Sequence, residues 1–250
     1  TMNIIALSDC HYKFHCTNSA DQDSANKLIY FLKSIPGKYD LMVLSGDIFD
    51  FWLEGKFTVV KQYFPVLCAL SAIKESGTRI VYISGNHDFW FGNFLSDYIG
   101  CEIHPDGFTL NTDGKKIRFE HGDTRTFNDL RYQLYRKVIR WKAVHKIASF
   151  LHPDLALTIG SRFSRTSRQR KDNQELVDKK SKGLKNYAKW LIEHKKADIV
   201  VLGHSHQPVW ETMGNGSYLN CGDWITYYSY VEIDAGKPAL KEYNIKNEQI

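Results

Sequence analysis

The chain has 250 residues, 43% of them hydrophobic and 24% charged, with a formal net charge of +5. That is long enough to bury one sizeable core, and neither the composition nor any repeat points to a disordered or solenoid protein. No apolar run approaches the ~18 residues of a membrane span, and five scattered cysteines without a CxxC pair fit a reducing compartment better than a disulfide framework or a zinc knuckle.

Residues 3–7 read as a short buried strand that runs straight into Ser8-Asp9-Cys10-His11. With no basic leader or cleavage site before it, a cytoplasmic location is expected. Leu28, Ile29, Phe31, Leu32 and Ile35 follow at helical spacing over residues 24–35, and Pro36-Gly37 stops them. Residues 41–44 form a second strand ending at Ser45-Gly46-Asp47, and residues 57–75 suit a second helix. A third strand, 80–83, leads into Ser84-Gly85-Asn86-His87-Asp88. Alternating strands and helices predict a layered α/β core with a parallel section.

Beyond Gly107 the texture is β-rich. Asp113-Gly114 sits between 108–110 and 117–119 as a hairpin signal, and the second of these runs ends at Glu120-His121-Gly122. A further strand, 199–202, ends at Gly203-His204-Ser205-His206, and the tail from Tyr218 onward reads as antiparallel strands. Between these two strand ends lies a helical insertion, residues 124–195. Leu130, Leu134, Val138, Trp141, Val144, Ile147 and Leu151 recur every three or four residues, which predicts an amphipathic helix over 128–151. Residues 173–195 read as helical again.

The charge is uneven. From Arg125 to Lys185 there are 16 Lys and Arg against 5 Asp and Glu, whereas the remainder carries 17 against 23. Such a block is either a solvated helix face or a surface for an anionic partner: phosphate, nucleic acid or a lipid head group. It lacks the aromatic interleaving of a single-strand groove, so no nucleic acid is expected.

Five strand ends thus carry side chains that bind metals. Imidazole and carboxylate donors suit Mn, Fe and Zn, and one Asp can bridge two cations. A lone Asp-x-His or His-x-His is more often structural, but five in one chain are not explained by ordinary turns. Phe51, Trp52, Phe89, Trp90, Phe91 and Phe94 cluster just after two of these turns. Singly each reads as core; together they point to the mouth of an apolar pocket.

In order, the blocks D-x-H, G-D-x-x-D, G-N-H-D, H and G-H-x-H resemble the calcineurin-like metallophosphoesterase superfamily. The resemblance implies a four-layer α/β/β/α sandwich and two divalent cations, manganese being the family expectation, with iron, zinc and magnesium admitted by the mixed donors. One cation would be held by Asp9, His11, Asp47 and His206, and the other by Asp47, Asn86, His121 and His204. His87, oriented by Asp88, would donate a proton to the phosphate or the leaving oxygen. The other reading of His87 is a turn histidine bonded only to backbone.

Gly46-Asp-Ile-Phe-Asp-Phe-Trp, His121-Gly-Asp-Thr and the size of the insertion are most similar to the UDP-2,3-diacylglucosamine hydrolase family of lipid A biosynthesis. That likeness implies hydrolysis of the substrate's pyrophosphate to 2,3-diacylglucosamine 1-phosphate and UMP. It also implies a lid formed by residues 124–195 and peripheral contact with the inner-membrane surface. Asp129, Tyr132, Arg165, Ser167 and Arg168, with Asn86 and His87, become candidate substrate contacts. His87 is a departure, since better-known members carry Arg there. The competing readings are a metallophosphoesterase of other specificity and a non-catalytic scaffold, the latter disfavoured by a complete ligand set. No obligate protein partner is evident in the sequence.

Overall fold

The computed structural model describes residues 1–125 and 174–244, together with Leu134, Val138, Leu155, Leu157 and Thr158. Apart from Leu134 and Val138, the expected helix over 128–151 lies outside the described residues, as do the candidates Asp129, Tyr132, Arg165, Ser167 and Arg168.

Three parallel strands start the first sheet: β1 (Asn3–Leu7), β2 (Leu41–Leu44) and β3 (Arg79–Ile83). β4 (Cys101–His104) continues it in parallel beyond β3. A second sheet opens with β5 (Phe108–Thr112) and β6 (Lys115–Phe119), joined as a hairpin, and continues with β7 (Ile199–Leu202), β8 (Pro208–Met213) and β9 (Gly216–Cys221). The chain then returns to the first sheet as β10 (Ser229–Asp234), antiparallel to β1, and β11 (Lys237–Glu242). The orders are β11-β10-β1-β2-β3-β4 and β5-β6-β7-β9-β8. Three α-helices are described: α1 (Ser19–Lys33), α2 (Phe64–Glu75) and α3 (Gln174–Glu193).

The period of two along each strand builds the layers. Ile5, Leu7, Met42, Leu44, Ile80 and Tyr82 face one way and meet Leu28, Phe31 and Leu32 of α1 and Val66, Leu70 and Ile73 of α2. Their neighbours Ile4, Ala6, Leu41, Val43, Val81 and Ile83 face the other way and pack on Ile117, Phe119, Ile199, Val201 and Leu219 of the second sheet. The outer face of that sheet, with Val200, Leu202 and Tyr218, is covered by Leu184, Tyr187, Ala188 and Leu191 of α3. The result is the expected α/β/β/α sandwich. Strands buried on both faces must be continuously apolar, which is why β1, β2, β3 and β7 stand out in the sequence.

Several boundaries differ from the sequence reading for local reasons. α1 begins five residues earlier than expected because the Asn18 side chain accepts from the Asp21 amide at 2.8 Å and caps it. α2 begins later, after a 3-10 turn over Lys61–Tyr63, with Pro65 in its first turn, where no amide donor is needed. The Asp113-Gly114 hairpin is as expected: both residues have positive φ, 49° and 69°, the geometry that matches strand twist. The tail turn falls on Ala235-Gly236, both at positive φ, and Lys237-Pro238 opens β11. Among the described residues no helix is long and apolar enough to cross a membrane.

Candidate metal centre

Every parallel strand of the two inner layers that ends near the middle of its sheet delivers polar side chains at its carboxyl end, where open α/β sheets place their ligands. β1 delivers Asp9 and His11, β2 Asp47, and β3 Asn86, His87 and Asp88. β6 delivers His121, and β7 His204 and His206. Because the two sheets present these ends on one side, residues nearly 200 positions apart meet.

The loops are held in conformations that non-glycine residues rarely adopt. Asp9, His11, Asp47, His204 and His206 all have positive φ, between 46° and 67°. Strain of this kind persists only where the surroundings over-determine it, and it gathers at functional sites. Here the Asp9 amide donates to Gly46 O at 3.1 Å, His11 N to Asp47 O at 2.8 Å and Gly203 N to His121 O at 3.1 Å. Close approach requires glycine at two points: a Cβ on Gly85 would lie 2.1 Å from Asp47 Oδ1, and one on Gly203 would lie 1.9 Å from Ser8 Oγ.

Each central aspartate splits its two oxygens between two jobs. Asp9 Oδ2 accepts from Ser8 Oγ (2.6 Å) and the His204 amide (2.7 Å), while Oδ1 lies 3.3 Å from His206 Nε2 and 3.8 Å from His11 Nε2. Asp47 Oδ1 accepts from the His87 amide at 2.8 Å. Its Oδ2 faces three imidazoles, at 3.5 Å from His121 Nε2, 3.8 Å from His11 Nε2 and 3.9 Å from His87 Nε2. Both side chains are fully buried, and neither Asp9 Oδ1 nor Asp47 Oδ2 receives a hydrogen bond of normal geometry from the described residues. A buried carboxylate oxygen left this way is costly unless a cation completes it.

The imidazoles complement them. His11 and His206 are stacked, with ring centroids 5.0 Å apart and Nε2 atoms 3.4 Å apart. His121 places Nδ1 2.9 Å from the Ser45 carbonyl and Nε2 3.1 Å from Asn86 Oδ1, and its ring meets that of His204 at 5.2 Å. A carbonyl on Nδ1 holds a proton there and leaves Nε2 for a cation. In the metal-free protein, burial works to lower the His121 pKa, but the Asp47 carboxylate outweighs it and pushes it up to about 10. Burial conversely works to raise Asp47, and the His121, His87 and His11 imidazoles hold it well below the usual carboxylate range. Asp9, His11 and His206 form one group with ligand atoms in mutual reach, and Asp9, Asp47 and His121 another. The structure thus brings the side chains of Asp9, His11, Asp47, Asn86, His121, His204 and His206 together at these strand ends.

Asp88 has a different task from the one expected of it. Its Oδ1 accepts from the Asp47 and Gly85 amides (2.8 and 3.0 Å), and its Oδ2 from the Ile48 and Phe49 amides (2.7 and 3.2 Å) and Tyr82 Oη (2.5 Å). The carboxylate fixes the backbone that carries Asp47. Burial, followed by the Asp47 charge, pushes its pKa up to about 7. His87 Nδ1 lies 3.0 Å from the Asp50 carbonyl and 4.0 Å from the Asp50 carboxylate. The same carboxylate is 3.8 Å from His11 Nδ1.

The expected aromatic mouth is only partly present. Trp52 is 1% exposed and stacks on Tyr63 in the helix-side core, where Phe91 and Phe94 also pack. Phe51, Phe89 and Trp90 are half-buried and touch one another through Trp90, at 6.3 and 5.2 Å.

The family model of calcineurin-like phosphoesterases matches residues 2–208. The chain belongs to this family. It is similar to a UDP-2,3-diacylglucosamine hydrolase of Porphyromonas gingivalis, 26% identical over 227 residues covering 83% of this chain and 85% of that protein. A protein of the same name from Histophilus somni is 26% identical over 212 residues, 83% and 88% of the two chains. Another from Tolumonas auensis is 25% identical over 243 residues, 93% and 94%. This phosphoesterase is a metal-dependent hydrolase of phosphoric or pyrophosphoric esters, and its buried cluster is a candidate divalent-metal centre.

Proposed function

We propose that the chain hydrolyses the pyrophosphate bond of UDP-2,3-diacylglucosamine, giving 2,3-diacylglucosamine 1-phosphate and UMP. The observation that carries the hydrolase chemistry is the pair of buried oxygens, Asp9 Oδ1 and Asp47 Oδ2, aimed into a ring of imidazoles and receiving no hydrogen bond of normal geometry from the described residues. The donor set fits two divalent cations sharing Asp47, with Asp9, His11 and His206 on one side and Asn86, His121 and His204 on the other. Manganese suits these mixed donors. Bound there, the cations supply an acidified water and positive charge against the phosphoryl oxygens.

The chain's own residues do the rest. Asn86 is half-buried at the edge of the cluster and His87 lies buried beside it, where the amide and imidazole can hold a phosphoryl oxygen. His87 Nδ1 is engaged by the Asp50 carbonyl, so its Nε2, 3.9 Å from Asp47 Oδ2, is the atom that gives or takes the proton. Asp88 and Tyr82 keep the Asp47 turn rigid.

The substrate is supported by the names of the relatives and by the basic insertion. Of the insertion expected over 124–195, α3 packs on the second sheet through Leu184, Tyr187, Ala188 and Leu191; the part before α3 is proposed as a lid that holds the acyl chains, with Asp129, Tyr132, Arg165, Ser167 and Arg168 contacting sugar and phosphates. Leu134 and Val138, one helical turn apart, are 65% and 49% exposed, apolar surface of the kind an acyl chain or the cytoplasmic face of the inner membrane would cover. Incubation of manganese-loaded protein with UDP-2,3-diacylglucosamine should release UMP. Hydrolysis of an aryl phosphate with no UMP from the lipid would instead assign a phosphoesterase of other specificity.

A further inference from the structure

β9 ends in Asn220-Cys221-Gly222-Asp223, a Gly-Asp pair after a buried strand that repeats the pattern of Gly46-Asp47. Asp223 is buried and divides its oxygens. Oδ1 accepts from the amides of Ile225 (3.2 Å), Thr226 (2.7 Å) and Tyr227 (3.1 Å), closing the turn that follows. Oδ2 lies 3.3 Å from His206 Nδ1. The two loops are tied a second time by Asn220, whose Nδ2 donates to Gly203 O at 2.7 Å and whose Oδ1 accepts from the Gly222 amide at 3.0 Å.

Across the same imidazole, His206 Nε2 stands 3.3 Å from Asp9 Oδ1 and 3.4 Å from His11 Nε2. Two ring nitrogens and a buried carboxylate oxygen at these distances serve a cation only if both nitrogens present lone pairs. A neutral imidazole has one lone pair and one N–H, and the partner on the far nitrogen decides which is which. An ionised carboxylate only accepts, so it requires the proton on Nδ1. Three backbone donors on Oδ1 fix the carboxylate's rotamer, so Oδ2 cannot turn away.

We infer that Asp223 is a positioning residue for His206: it holds the ring proton on Nδ1 and keeps the Nε2 lone pair aimed at the Asp9–His11 group. This rests on the metal reading above and adds a residue to it. Outward carboxylates on metal-binding histidines set both tautomer and basicity, and their loss costs ~10–100-fold in metal affinity.

Asp223→Asn separates this role from turn closure. The amide oxygen can still take the three backbone donors, which leaves its NH2 facing Nδ1. His206 must then accept there and carry its proton on Nε2, inside the cluster. Long-range 1H–15N spectra of the metal-free proteins should show His206 as the Nδ1–H tautomer in the wild type and the Nε2–H tautomer in D223N. Mn2+ affinity by calorimetry should fall ~10–100-fold. Thr226→Pro is the control, because it removes one donor to Oδ1 and leaves the His206 contact; it should lower the melting temperature and keep Mn2+ affinity. An unchanged tautomer with wild-type affinity in D223N overturns the inference, as does a T226P variant that loses affinity as deeply as D223N. Failure of the wild type to take up Mn2+ overturns the metal reading instead, and the metal-free spectra still decide the role of Asp223.

Discussion

Asp47→Asn is the sharpest test of the centre, because the structure separates what the substitution keeps from what it removes. The amide retains an oxygen for the His87 amide, now bonded at 2.8 Å to Oδ1. It replaces the oxygen that faces His121, His11 and His87 at 3.5, 3.8 and 3.9 Å with a group that cannot ligate. In the metal-free protein the lost attraction to the imidazoles is offset by the lost burial of a charge, so the fold should survive within about 2 kcal/mol. With metal the proteins should diverge. A ligand at 100 times its Kd stabilises the native state by about 2.7 kcal/mol, and each kcal/mol moves the midpoint of a chain this size by ~2–4 °C. The wild type should therefore melt roughly 5–11 °C higher in Mn2+ than in EDTA. D47N should show little of that shift, and its turnover should fall on the order of a thousandfold or more, several kcal/mol of lost charge stabilisation. Scanning fluorimetry with and without EDTA reads the first quantity. A full Mn2+ shift in D47N would refute the placement of Asp47 between two cations.

Three further outcomes follow from the same geometry. His87→Ala should leave metal content by elemental analysis unchanged and cut kcat ~100–10,000-fold; wild-type turnover would remove His87 from the chemistry. Because Asp47 pushes the His121 pKa up to about 10 in the metal-free protein, that imidazole is protonated at neutral pH and must lose its proton to bind a cation. Mn2+ uptake near pH 7.5 should release about one proton from it, and its affinity should rise with pH toward 10; binding heats that are identical in buffers of different ionisation enthalpy would contradict this. The sign for the metal-free fold is opposite: the stabilisation from charged His121 is full below its ordinary pKa near 6.5 and fades as pH climbs through about 10. Gly85→Ala puts a Cβ 2.1 Å from Asp47 Oδ1 and 2.3 Å from the Asp47 amide; urea titration should show a loss of at least about 1–3 kcal/mol, and a neutral result would mean that the two turns are not in contact.

The central strands were legible because burial on both faces leaves only apolar residues, and each such run stops at a glycine or a polar turn. β4 and β8 were not. Both are sheet edges, and Cys101-Glu-Ile-His and Pro208 to Met213 mix polar with apolar residues because only one face is covered. The helix starts were misplaced where a single cap, Asn18, or a single proline in the first turn, Pro65, outweighed the apolar period.

By itself, the sequence determined the layered α/β class, the family and the identity of the seven candidate ligands, since residue types following buried strands are local facts. It could not determine what each aspartate faces. Asp47, Asp88 and Asp223 all come shortly after buried strands, yet one turns an oxygen toward three imidazoles, one binds four backbone amides and a tyrosine, and one bridges a turn to His206. A carboxylate's task is set by the donors around it, and those donors arrive from strands of both sheets. Only the packing of the sheets with their carboxyl ends on the same side brings them there.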